Sequence, residues 1–166
     1  MKKAYVMLCL MLFVSPLFGD DLDTAVRWKS IVGVITATNI DNPVGNIHSG
    51  TAAWSVRSGQ AIVNLATKDF FFEVEGLVFN GTAFSGTPGP VTAVTGTLVC
   101  SPGNASQVFD TPIVTLDANG DAQFAGHVAN IPFSCPNPIF LVRVASPAGA
   151  AGRWIATGAV RTTGGN

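Results

Sequence analysis

The sequence predicts an all-β protein: an antiparallel β-sandwich, or partly open barrel, of about nine strands preceded by a cleaved signal peptide. Three observations carry that prediction. Short runs with a side-chain period of two recur along the chain, each bounded by Gly-, Pro- or Asn-rich turns. No helix-period segment of useful length follows the first nineteen residues. Charged residues make up only 11% of the chain, against about a quarter in an average domain, so Ser, Thr, Asn, Gln and Gly must cover the surface. That composition is common in extracellular β proteins. It also weakens the charge protection of sheet edges, which leaves self-association open.

The leader comes first. Lys2 and Lys3 form a positive start, residues 5–14 form a short apolar core, and Pro16 and Gly19 precede Asp20 and Asp21. This is the layout of a secretory signal peptide, cleaved near Gly19. The apolar run is well short of the roughly 20 residues that span a bilayer, and no second one follows. The expected location is therefore secreted, periplasmic or at the cell surface. Residues 20–166 form one domain, 147 residues of the 166. That domain keeps 7 basic and 10 acidic residues, a net charge of −3, since the leader removes two lysines and no acid. An acidic, charge-poor surface excludes a nucleic-acid footprint. With Cys9 lost in the leader, Cys100 and Cys135 remain, and in an oxidising compartment they predict a disulfide. A metal or redox pair would call for a CxxC spacing or a nearby His.

The predicted strands are 28–38, 51–57, 60–66, 68–80, 91–100, 107–116, 121–128, 139–145 and 153–161. Residues 68–80 give the longest signal and read as the central strand, with Phe70, Phe72, Val74 and Val78 on one face and Phe71, Glu73, Glu75 and Leu77 on the other. With 51–57 and 60–66 they read as an antiparallel meander. Pro112 marks an edge position or a bulge. Asn119-Gly120 between alternating runs predicts a tight hairpin. Trp54 and Trp154 have apolar neighbours and belong to the core, whereas Trp28, at the start of its strand, is the tryptophan most open to the surface. Residues 39–50, 81–90 and 146–152 are loops in which Gly and Pro leave room for recognition.

Few residues offer chemistry. Glu73 and Glu75 project from one strand face and could act as the paired carboxylates of a hydrolase. Such neighbouring like charges are more often solvated, or paired across strands with a base such as Arg57 or Arg143. His48, in a loop, is a further candidate base. His48 and His127 are the candidate metal ligands, although no local spacing joins them. Asp117, Asn119 and Asp121 alternate as in a calcium loop, but the glycine falls early and the bidentate Glu is missing, so a hairpin turn accounts for them. Asn80 and Asn104 match glycan acceptor patterns. Neither a nucleophile elbow nor a phosphate-binding glycine loop occurs, and no cofactor is implied.

Residues 89–96, GPVTAVTG, follow a Gly-Leu-Val step, and the chain closes on GRWIATGAV. These patches resemble the chordin-type (CHRD) domain, whose members are secreted β-sandwich-like modules. The resemblance implies such a fold. The family's His-x-His is replaced here by Val94-Thr95-Gly96, so no metal or ligand role is carried over. The sequence thus points to an exported, non-catalytic binding or structural module for an extracellular ligand or protein. A small hydrolase using Glu73 and Glu75, or a self-assembling surface protein, stands as the alternative.

Overall fold

Eleven strands and no α-helix make up the described chain. The computed structural model describes residues 24–37, 40–103, 105–145 and 149–163. The predicted leader, Cys9, Asn104 and part of the 146–152 loop lie outside the described residues. Nine strands form one antiparallel sheet. Its order runs β7 (Gln107–Asp110), β6 (Ala93–Cys100), β10 (Ile139–Ala145), β11 (Ala151–Thr163), β1 (Ala25–Gly33), β3 (Ser58–Asn64), β4 (Asp69–Glu75) and β9 (Ala122–His127), with β8 (Val114–Thr115) on the same edge of β6 as β7. A separate two-stranded sheet pairs β2 (Ala53–Ser55) with β5 (Val78–Asn80).

The large sheet curls, as the partly open barrel requires. Its outermost strands, β8 and β9, are consecutive in sequence and meet at the 117–120 turn, where Asp117 N donates to Asp121 O at 3.1 Å and Gly120 N to Asp117 O at 3.0 Å. The curl also brings β4 opposite β6 and β10. Phe72 and Phe140 lie 5.6 Å apart between ring centroids, Phe70 and Phe140 6.0 Å, and Trp28 and Phe140 5.8 Å. Gly96 makes this possible, since a Cβ there would stand 2.6 Å from the Phe72 ring.

Period two explains the middle of the sheet. Ala61 and Val63 on β3 and Phe70, Phe72 and Val74 on β4 point inward and are buried. Strands β6 and β10 depart from simple alternation because both of their faces are covered. Thr95 and Thr97, on the opposite face from Val94 and Leu98, are buried as well, and their hydroxyls donate to Thr111 O and the Asp110 carboxylate. Buried hydroxyls cost little once they are hydrogen-bonded. Cys100, at the end of β6, is bonded to Cys135 with their Cα atoms 4.9 Å apart, as the cysteine count predicted.

Several sequence expectations need correction. Residues 68–80 are two strands. Gly76 takes φ +62, which ends β4, and β5 leaves for the small sheet. Leu77 is fully buried at 0% exposure instead of sharing an outer face with Glu73 and Glu75. Strand β4 is next to the edge strand β9 and is not central. The meander therefore holds only for β3 and β4, because β2 pairs with β5. The first strand begins at Ala25 and ends at Gly33, which puts Trp28 mid-strand between β3 and β11 at 2% exposure, inside the core and not at the surface. The expected strand 107–116 breaks at Pro112 into β7 and β8, both along the open edge of β6, as the proline foretold.

Candidate functional site

The small sheet stands against the end of the large one and leaves a cleft between them. A main-chain bond ties it to the end of β1, where Trp54 N donates to Val34 O at 2.9 Å, and the loop after β5 folds back on it, with Phe79 N donating to Thr87 O at 2.9 Å. Trp54 on β2 and Phe79 on β5 are cross-strand partners with ring centroids 4.0 Å apart, and Phe84 packs beyond Phe79 at 5.9 Å. Their side of the cleft faces Val91, Val144 and Ile155, and the space enclosed is about 270 Å³. The β10–β11 pairing shifts register on both sides of Arg143, close to this wall. Such bulges re-aim side chains.

One polar feature of the cleft stands out. The Trp154 Nε1–H donates to Asn42 O at 2.8 Å, whereas the Trp54 Nε1–H meets no acceptor among the described residues. No fully buried side-chain donor among the described residues lacks a partner, so the Trp54 N–H keeps some solvent access, on a residue that lines the cleft. At its rim lies Arg153, whose guanidinium donates to Ser49 O at 2.7 Å and has no carboxylate partner among the described residues. Apart from the Thr51 hydroxyl, the polar side chains of the wall can only donate.

The described part of the predicted 39–50 loop, residues 40–50, is a loop, and 41–50 form a strap tied down on β11. Asp41 is its hub. The Asp41 carboxylate accepts from Ser49 N at 2.9 Å and from the Ser49 hydroxyl, and pairs with His48 Nδ1. Trp154 N donates to His48 O at 3.0 Å and Gly50 N to Trp154 O at 2.7 Å. Ile47 and Ser49 are buried, and the His48 bond leads the interactions that hold the Asp41 carboxyl below its usual range. The His48 imidazole is thereby oriented, with 62% of its side chain exposed.

His127 faces a different acid, Asp69 on β4, at 3.9 Å. The two histidines do not share a cluster: among the described residues no three His, Cys, Asp or Glu side chains gather as a metal site would require. Glu73 and Glu75 do lie together on the outer face of β4, beside Thr115, Asp121 and Gln123, around a shallow trough of about 310 Å³. Each is already engaged. Gln60 donates to Glu73 at 2.7 Å, and the Ser58 hydroxyl donates to Glu75 at 2.7 Å. Arg57 stands 3.5 Å from Glu75 and 3.7 Å from Asp121, while Arg143 pairs with Asp110. The Ser58 bond first, then the Arg57 charge, holds the Glu75 carboxyl below its usual range. A general acid needs the opposite shift.

The turn acids serve the backbone. Asp117 Oδ1 accepts from Asn119 N at 2.8 Å and Asp121 N at 2.9 Å, and Asp121 Oδ1 accepts from Gly76 N at 2.7 Å. The Asp121 N–H first, and Asn119 after it, keep the Asp117 carboxyl below its ordinary 3.8. A carboxyl lowered on folding stabilises the fold above its unfolded pKa, and that stability is lost as pH falls through the lowered value. Asp117→Asn, which imitates the protonated group, should therefore melt below the wild type at pH 7. The gap should close as the pH drops beneath 3.8. Paired thermal melts from pH 7 to pH 2 check this, and a gap that stays constant would show that the charge is irrelevant.

The fold and the cleft thus define an all-β protein of one curled sheet and a small two-stranded one, with an outer strap and a lateral apolar cleft. No protein family, curated protein or solved structure matches the chain.

Proposed function

We propose that the chain is an exported, non-catalytic binding module whose ligand seats in the cleft between the two sheets. The observation that carries this reading is the cleft itself: an aromatic and aliphatic recess whose wall holds an indole N–H without an acceptor among the described residues. Apolar recesses with a few fixed polar groups are the usual form of a small-ligand site. Export rests on the leader pattern of residues 1–19 and agrees with the Cys100–Cys135 bond and the charge-poor composition. The hydrolase reading gains nothing from Glu73 and Glu75, since both are hydrogen-bonded and Glu75 is kept ionised.

Val91 lines the cleft and is half-buried, so Val91→Trp should fill it. In a thermal-shift screen of small aromatic fragments, hits should raise the melting temperature of the wild type and leave Val91→Trp unmoved. Equal shifts in both proteins, or no hits at all, would refute a ligand site in the cleft.

A further inference from the structure

We infer that the ligand of the cleft is a small anion with an apolar, ring-sized body, its negative end held by Arg153. This deepens the binding-module reading and rests on it. Size comes first. At about 270 Å³, the cleft lies just below the range of ligand pockets, roughly 300 to 1,000 Å³. It therefore suits a body of one or two fused rings.

Polarity follows from the wall. The cleft has no carboxylate and no side-chain amide; its polar side chains are Thr51, Trp54 and Arg153. Trp54 and Arg153 can only donate. Among the described residues the Trp54 N–H meets no acceptor, and Arg153 is bound only to a carbonyl, through one of its nitrogens. A ligand that brings acceptors satisfies both, and one that brings a carboxylate also neutralises the guanidinium in its preferred forked geometry. A cationic or donor-rich ligand would leave the Trp54 N–H unsatisfied and face a like charge at the rim.

Arg153 is also positioned for the task. Its carbonyl partner belongs to Ser49, which is anchored to Asp41, and the neighbouring Trp154 is bonded to the strap on both sides of its peptide. The strap therefore limits the guanidinium's freedom before the ligand arrives, which lowers the ordering cost of binding. The acidic net charge of the domain acts against an anion at long range, but at physiological salt it is screened beyond about 8 Å.

The test compares two isosteres, naphthoate and naphthamide, by isothermal titration calorimetry on the full oxidised domain. Naphthoate should bind the wild type about tenfold more tightly, as a charge-assisted hydrogen bond implies. Arg153→Gln should erase that preference without changing the affinity for naphthamide, and Arg153→Lys should keep part of it. If the wild type binds both compounds equally, or if Arg153→Gln keeps the preference, the anion assignment is wrong while the cleft remains a binding site. If the wild type binds neither, both the assignment and the cleft reading fall.

Discussion

Phe140→Ala is expected to destabilise the domain by about 3–5 kcal/mol, the range for deleting a fully buried aromatic ring. Phe140 is 0% exposed, and its ring meets Trp28, Phe70 and Phe72, which come from β1 and β4. It therefore joins the two halves of the curl across the interior. The surroundings have little room to collapse into the hole, because Gly96 contributes no side chain and the Phe72 ring already rests on it. Domains of this kind have only about 5–15 kcal/mol in hand, so the loss is large. Urea unfolding should show a lower midpoint with an unchanged slope. A cost below about 1 kcal/mol would mean that β4 and β10 do not face each other.

Breaking the Cys100–Cys135 bond is the second large effect. The two cysteines are 35 residues apart, and in the chain-entropy model closing a loop of that length contributes about 4 kcal/mol. For a domain of this size that corresponds to a fall in melting temperature of about 8–16 °C. The double variant Cys100→Ala, Cys135→Ala and the reduced wild type should agree, since each frees the same loop in the unfolded chain. The native sheet should persist, because Ser101 N still donates to Pro136 O at 2.7 Å and holds that segment to the end of β6. A melting temperature indifferent to reductant would show that the loop is already constrained in the unfolded state.

What could be read from the sequence was local. Strand β10 has the predicted bounds, 139–145, since its apolar run is closed by proline and small residues. The 117–120 turn was visible in Asn119-Gly120, and the disulfide in a cysteine count. What was hidden depended on residues far apart. Gly76 lies within an aromatic run, so the apolar pattern continued straight through the break that its backbone imposes. That break creates the small sheet, and only then do Trp54 and Phe79, 25 positions apart in the sequence, become partners. Trp28 reads as the tryptophan most open to the surface only because the pattern starts its strand three residues too late. Asp41 gave no sign of organising a strap, since its bonds run to His48 and Ser49 and the strap docks on Trp154, more than a hundred residues away. Glu73 and Glu75 were found on one face as expected, but their hydrogen-bond donors, Gln60 and Ser58, come from the neighbouring strand β3.

The most direct measurement of the central claim is an NMR titration of the Trp54 indole N–H with naphthoate. That proton has no acceptor among the described residues and belongs to a residue that lines the cleft, so a bound carboxylate-bearing ring should move it strongly downfield or broaden it by exchange. The methyl groups of Val91, Val144 and Ile155 should shift with it, while the Trp154 indole, already bonded to Asn42, stays in place. Shifts confined to exposed apolar residues such as Ile35 and Phe133, with the Trp54 signal unmoved at saturation, would contradict the account.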